Sequence, residues 1–517
     1  MPRFSSRAKK VADLITYKTD IQTANELINE LSTPFDIIYC KFCIIFYYIN
    51  FYSNELLFKN LKEAEEIQNK YFKDNPDNFL FFLIKYCYFL YYVGVTNVFS
   101  NNSIANSKLA KKYYHELQVI YPQIDPYDDW ERYFCEGTHY FIIGSYIVMI
   151  ENNPSKAIEL MEKSNTSYSL IPDDGDFLSK TFGFDSLGWV TRLAGKFDDS
   201  EKYLAISLEY SKKNKNSWQR FPLYNLTMLY IQKGEFGKAM DLNNYSLKLF
   251  KKYNDDVGMY WSLEKQGELS FAEGNYLKAL DSYQESLVYR KKHNDGLEIF
   301  KGYGNIFNYN FLLYKISKDK NLLIKANQIL SECKNLQELY PDDIIIKNYS
   351  KYYQACIFKY GNYSKKAKAG VIFEELIKIY PYQARIVSEY LELLFEDYLA
   401  SEDEETIDKI DSLITKIYDI PFIITSIDSY VRQQIILSNY QFYIKNDIPE
   451  AIELLTKARE KIVPYKLEFL NSKIDRNLDS FKQQSEKWAN VDISIKERIE
   501  RSEFNKYIQE AQKMNIL

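Results

Sequence analysis

Residues 261–293, WSLEKQGELSFAEGNYLKALDSYQESLVYRKKH, decide the fold. Apolar and small residues recur at three- and four-residue steps on both sides of Gly274-Asn275, which is the spacing of one face of an α-helix. Because Gly and Asn interrupt helices readily, this dipeptide predicts a turn. Small side chains at Gly267 and Ala279 allow two helix backbones to approach closely. The stretch therefore predicts two helices folded back on each other.

The same turn occurs three times in the chain. Its copies are spaced 39 and 40 residues apart, and an apolar helical pattern precedes and follows each one. They are Gly195-Lys196-Phe197, Gly234-Glu235-Phe236 and Gly274-Asn275-Tyr276. This arrangement resembles the tetratricopeptide repeat (TPR), a helix-turn-helix unit of about 34 residues. The resemblance implies an all-α fold, a right-handed α-solenoid of stacked antiparallel helix pairs, or TPR-like superhelix. The longer spacing is similar to that of bacterial peptide-sensing regulators and scaffold TPR proteins.

Length and composition agree with an elongated array. The 517 residues exceed the usual single core, and 17 Gly with 13 Pro are too few for a turn-rich β protein. Pro34 is predicted to end the first helix, and a helical stripe near the C-terminus is predicted to cap the last repeat. That stripe comprises Ile493, Ile495, Ile499, Phe504, Tyr507 and Ile508. The predicted divisions are 1–34 (N-terminal tip and first helix), 35–172 (irregular apolar hairpins), 173–300 (regular TPR units), 301–465 (divergent TPR-like units) and 466–517 (capping helices).

Two apolar stretches, 35–52 and 79–99, approach the length of a membrane span. Lys41 and Lys85 lie inside them, and a charge is costly in hydrocarbon, so we interpret both stretches as buried helices of the array, with membrane spans as the alternative. The N-terminus has basic residues but no apolar segment of a signal peptide. We therefore expect a cytoplasmic protein.

The charge balance and the polar residues exclude several function classes. Lys and Arg number 66 against 71 Asp and Glu, which lacks the basic excess of a nucleic-acid-binding protein. The three histidines, His115, His139 and His293, have neither metal-ligand nor triad spacing. Cys40 and Cys43 form a lone CxxC within an apolar stretch, without a second pair. We predict no catalytic residue, no cofactor and no metal, and hence no enzyme.

In a TPR solenoid the first helix of each unit lines the concave side, so the resemblance implies a groove whose residues follow from the three turns. They are Phe182, Asp185, Trp189 and Arg192 in the first unit, Phe221, Tyr224, Met228 and Gln232 in the second, and Trp261, Glu264, Glu268 and Phe271 in the third. Aromatic residues with a few charges suit a peptide or helix ligand. The alternative interpretation is that many of them are core contacts between neighbouring units.

The resemblance leaves two function classes open. The first is a scaffold or adaptor that holds a protein or peptide partner in the groove, and the second is a peptide-sensing regulator whose solenoid changes pitch. TPR proteins that grip the acidic tail of a chaperone use Lys, Arg and Asn on three successive first helices. Asn225 and Lys265 match two of those positions, but Asp185, Trp189 and Trp261 stand where cationic or amide groups are needed. That departure disfavours chaperone-tail binding.

Overall fold

The computed structural model describes most of the chain, and the statements below concern these residues only. They are 5–16, 21–51, 54–73, 77–99, 104–151, 153–171, 177–213, 217–292, 296–341, 343–380, 384–401, 403–418, 427–462, 468–488, 494 and 497. His293 and the stripe from Ile493 to Ile508 lie outside the described residues. Within the described ranges the regular secondary structure is helical, and no strand occurs.

The structure describes the following helices, in chain order. They are α1 (Ser6–Thr16), α2 (Ile21–Ile28), α3 (Pro34–Phe51), α4 (Asn54–Tyr71), α5 (Asn78–Phe99), α6 (Ile104–Ile120), α7 (Asp129–Met149), α8 (Pro154–Leu170), α9 (Phe177–Leu193), α10 (Phe197–Lys213), α11 (Arg220–Gln232), α12 (Phe236–Tyr253), α13 (Asp256–Ala272), α14 (Tyr276–Lys292), α15 (Gly296–Ser317), α16 (Lys320–Leu339), α17 (Ile344–Phe358), α18 (Tyr363–Ile379), α19 (Ala384–Ser401), α20 (Glu404–Tyr418), α21 (Ile427–Tyr440), α22 (Ile448–Ile462) and α23 (Glu468–Trp488).

Consecutive helices pack as hairpins within two compact units. Unit 1 comprises Met1–Leu229, Lys238–Gln266 and Glu285–Ile299, and unit 2 comprises Tyr230–Gly237, Gly267–Gln284 and Phe300–Leu517. In unit 1, α3 packs on α4, α5 on α6, α7 on α8 and α9 on α10. In unit 2, α17 packs on α18, α19 on α20 and α21 on α22. The prediction of an all-α array of helix pairs is confirmed.

The three turns that predicted the repeat have one geometry. Gly195, Gly234 and Gly274 all have a left-handed backbone, with φ of 74°, 73° and 79°. At the last of them, Gly274 N–H donates to the carbonyl of Phe271 and Asn275 N–H to that of Ser270, at 3.0 and 2.8 Å. These bonds satisfy carbonyl groups that a helix end leaves without partners. A side chain at this φ is strained, and therefore glycine stands at each of these three turns.

Pro34 begins a helix instead of ending one. The preceding helix α2 ends at Ile28, and Pro34 is the first residue of α3. Proline lacks only an N–H that has no partner in the first helical turn anyway, and its fixed φ suits this position. The prediction that Pro34 ends a helix was therefore wrong.

The lysines inside the two apolar helices are neutralised by acids of neighbouring helices. Lys41 of α3 forms an ion pair with Glu63 of α4. Lys85 of α5 lies 3.2 Å from Glu65 of α4 and 3.6 Å from Glu116 of α6. Across the described part of the chain, no helix combines the length and the hydropathy that crossing a bilayer requires. Both helices contribute instead to a core cluster of unit 1 that runs from Ala8 to Val190.

Candidate functional site

The predicted groove residues lie on three first helices, four each on α9, α11 and α13. Arg192 and Phe271 are buried, and the other ten are half-buried. Their spacing of three and four residues places each set of four on one face of its helix. We call the part of this surface that belongs to unit 1 the unit 1 face, and it is the candidate site. It comprises Phe182, Asp185, Trp189, Arg192, Phe221, Tyr224, Met228, Trp261 and Glu264.

Aromatic rings of α11 and α13 meet on the unit 1 face. The Trp261 indole lies 5.7 Å from the ring of Phe221 and 5.4 Å from the ring of Tyr224, between ring centroids. The Lys265 Nζ lies 5.4 Å from the Tyr224 centroid, within the range of a cation–π contact. All three rings keep part of their surface accessible. They form the aromatic patch of the site, defined here as Phe221, Tyr224 and Trp261.

A polar contact joins α9 to α11 beside this patch. The Asn225 side-chain amide donates to both carboxylate oxygens of Asp185, at 3.1 and 3.3 Å. Burial raises the pKa of Asp185 to about 7, although the bond from Asn225 and the charge of Arg192 act to lower it. Near neutral pH this carboxyl therefore changes its charge. Asn225, which matched a chaperone-clamp position, is thus hydrogen-bonded within the protein.

On the unit 1 face the acidic side chains are more exposed than the basic ones. Its acids, Asp185 and Glu264, are half-buried. The basic residues on and next to it are no more than 8% exposed, namely Arg192, Arg220, Lys265 and Arg290. Arg220 pairs with Asp255 at 3.0 Å, and Arg290 contacts both Glu264 and Glu298. The carboxylates are therefore more accessible at this face than the basic groups.

Some predicted groove residues are packing residues. The Phe182 ring lies 4.7 Å from Phe141, between centroids, and Trp189 packs against the core cluster of unit 1. In unit 2, Phe271 lies 5.1 Å from Tyr276 and 6.0 Å from Tyr309. For Phe182, Trp189 and Phe271 the alternative interpretation therefore fits, in which predicted groove residues are packing contacts. The half-buried side chains of Met228, Gln232 and Glu268 lie on α11 and α13 at the predicted register.

Sequence reasoning missed the buried ion pairs that support the site. Arg220 at the start of α11 and Asp255 before α13 are separated by 35 residues. Arg290 lies on α14, a second helix, and therefore outside the predicted register. Hydrophobic periodicity carries no signal for such pairs because it identifies only the apolar side of each helix.

His139 and Cys40, which the sequence offered for catalysis or metal binding, make packing and hydrogen-bond contacts within the fold. His139 stacks on Tyr121 with ring centroids 3.8 Å apart, and burial lowers the pKa of His139 to about 4. The Cys40 thiol donates to the Ala8 carbonyl oxygen at 3.6 Å, and burial raises its pKa. Among the residues that the structure describes, no three His, Cys, Asp or Glu side chains group as a metal site.

Comparison with known proteins gives a likeness at the level of helical architecture. No protein-family model matches the chain, and no curated protein matches it. A crystal structure of a Rap protein complexed with competence and sporulation factor superimposes with a TM-score of 0.46 at 13% identity, covering 74% of this chain and 99% of that one. Apo RapI gives 0.46 at 15% identity, with the same coverage of both chains. The apo form of the quorum sensor NprR from B. thuringiensis gives 0.44 at 13%, covering 72% and 97%. Matches at this level do not transfer a function.

Proposed function

We propose that the chain is a non-enzymatic scaffold or adaptor that binds a segment of a partner protein on the unit 1 face. The observation that supports this function most directly is the aromatic patch, in which Trp261 contacts Phe221 and Tyr224 and all three rings stay partly accessible. Tyr and Trp supply much of the binding energy of protein interfaces because they bury large areas with little loss of conformational freedom.

The ligand that fits this surface combines an apolar anchor with a basic residue. The patch accepts the anchor, and a basic residue of the ligand approaches Glu264, whose side chain is more exposed than that of its partner Arg290. Asp185 adds a negative charge only when the pH exceeds about 7. An extended or helical segment loses conformational freedom when it docks, so we expect affinity near the micromolar range.

Selection from a random peptide library displayed on phage, with the full chain as bait, tests this function. The enriched peptides should pair an aromatic or large aliphatic residue with Lys or Arg. Trp261→Ala should weaken their binding by about 2 kcal/mol, roughly 30-fold, if this ring is an anchor. The matched control is Tyr245→Ala, which removes an exposed ring on the second helix α12. No enrichment, or equal loss in both variants, would contradict the proposal.

A regulatory peptide sensor is the second candidate function, and the same peptides separate the two. In a scaffold, the dimensions measured by small-angle scattering stay constant when the selected peptide saturates the chain. In a sensor they contract. Affinity purification from the native source followed by mass spectrometry then identifies the partner of either one.

A further inference from the structure

Four charged side chains are buried together in unit 2. Lys315 Nζ lies 3.0 Å from Glu389 and 2.6 Å from Glu392, while Lys359 Nζ lies 2.7 Å from each carboxylate. All four side chains are at most 5% exposed. We call this set the ionic cluster. Its two positive and two negative charges balance, and each lysine bonds to both carboxylates.

The ionic cluster joins three first helices of successive hairpins. Lys315 lies near the end of α15, Lys359 directly follows α17, and both glutamates belong to α19. The bonds of Lys315 span 74 and 77 residues, so they connect helices that are two hairpins apart. Lys315 lies three residues before Lys318, whose backbone is left-handed. Arg192 lies three residues before Gly195, which has the same backbone conformation. The cluster therefore occupies the helix face that corresponds to the candidate site in unit 1.

Mutual neutralisation outweighs the cost of burial in this cluster. Burial acts to raise the pKa of Glu392, yet Lys359 and Lys315 together lower it to about 2. Burial acts to lower the pKa of Lys359, yet Glu389 and Glu392 raise it above its ordinary value. Phe311 and Tyr360 enclose the lysines, with ring centroids 5.9 and 5.6 Å from the respective Nζ atoms. Charges in such apolar surroundings are stable only when every one is paired.

We propose that the ionic cluster is a conformational clasp, which fixes the spacing of α15, α17 and α19 and closes this face of unit 2 to ligands. Apolar side chains of similar volume hold helices together as strongly, but they tolerate small shifts and rotations. Each lysine here has two carboxylate partners at hydrogen-bond distance, so a shift or rotation of any of the three helices lengthens some of these bonds. Compared with an apolar core of the same volume, the clasp adds uniqueness of structure more than stability, although removing one charge alone is destabilising.

A variant that keeps the packing and removes the charges tests the clasp. Lys315→Met, Lys359→Met, Glu389→Leu and Glu392→Leu are combined, and spin labels are attached to cysteines at the exposed positions Ser317 and Asp408. We expect a melting temperature within about 5 °C of the wild type, because neutral replacement of a buried ionic cluster is often tolerated. The label-to-label distance distribution should broaden. A distribution as narrow as that of the wild type would overturn the proposal.

The single substitution Lys359→Met provides a second measurement that does not depend on the quadruple variant. It leaves two glutamates facing one lysine, so hydrogen exchange should accelerate at least ~10-fold in the amides of α15 and α19. Amides of α7 and α8, in unit 1, should keep their wild-type protection. Uniform loss of protection throughout the chain, or no loss, would show that the cluster does not hold these helices.

Discussion

Gly267 of α13 lies directly against the ring of Tyr283 of α14. A Cβ built at position 267 would be 2.6 Å from Cε1 and 2.7 Å from Cζ of that ring. Non-bonded carbon atoms do not approach this closely, so the two helices can pack at this distance only because Gly267 has no side chain. The hairpin turning at Gly195 has the same relationship, with Gly188 against Leu204.

Gly267→Ala should therefore destabilise unit 2 by about 1–3 kcal/mol, because the added methyl overpacks the helix crossing. Urea unfolding followed by circular dichroism measures the change. Gly237→Ala is the matched control, since a Cβ at position 237 of α12 meets nothing within 4 Å. That control should be neutral or stabilising by up to ~1 kcal/mol. Equal effects of the two substitutions would contradict the packing.

Asp185→Asn should stabilise the protein at alkaline pH. The folded-state pKa of about 7 is above the ordinary value of 3.8, so the folded state holds a proton that the unfolded state loses. Wild-type stability consequently falls as the pH rises from about 4 to 7, and the variant lacks this loss. We expect a difference of about 2 kcal/mol at pH 8 and nearly none at pH 4.

Urea titrations of both proteins at these two pH values measure the difference. Asp199→Asn, at an exposed position in the first turn of α10, serves as the control and should change the free energy of unfolding by under ~1 kcal/mol at either pH. A pH-independent gain in Asp185→Asn would mean that the substitution acts through packing and not through the charge of the carboxyl.

Glu392→Gln should destabilise unit 2 most at neutral pH. The folded-state pKa of about 2 is below the ordinary 4.5, so the stabilisation is complete above about pH 5 and is lost as the pH falls towards 2. At pH 7 the variant should lose about 3 kcal/mol, and the gap should narrow to about 1 kcal/mol at pH 3. Glu453→Gln, which breaks an exposed pair on α22, is the control and should cost under ~0.5 kcal/mol throughout. If the stability difference between Glu392→Gln and the wild type grew as the pH fell, the proposed ion pairing would be excluded.

Substituting in turn the two tryptophans predicted for the groove should distinguish a packing role from a ligand-binding role. Trp189 packs against the core cluster of unit 1, so Trp189→Ala should lower the free energy of unfolding by about 3 kcal/mol. Trp261 contacts two half-buried rings and packs on the small core cluster of Val257 and Tyr260, so Trp261→Ala should cost about 2 kcal/mol of stability while weakening ligand binding. Thermal melting and peptide titration of both variants give the two quantities. Greater destabilisation by Trp261→Ala would assign that ring to the core.

The three regular hairpins were predictable because their turns have a left-handed backbone that glycine adopts most easily. Gly195, Gly234 and Gly274 mark positive φ values, and the spacing of small and apolar residues then gives the face of each helix. Pro34 was misassigned because proline is compatible with the first turn of a helix as well as with the residue after its end.

The chemistry of the site was only partly predictable. Asp185 was placed on the correct helix, but its bond to Asn225 spans 40 residues, and its burial depends on how neighbouring helices rotate against each other. Lys265 and Arg290 would be surface residues by type, yet both are buried against rings or carboxylates. Helical periodicity assigns a side chain to a face and says nothing about its partner on another helix.

The pairing of Lys41 with Glu63 also has a consequence for biosynthesis. Glu63 follows Lys41 by 22 residues, so the apolar helix α3 leaves the ribosome before the carboxylate that neutralises its charge. At roughly 5–20 residues per second, translation of that interval takes about one to four seconds. During this time the nascent α3 exposes an apolar surface with an unmatched positive charge. The apolar surface of α3 is therefore open to solvent until α4 has emerged to cover it.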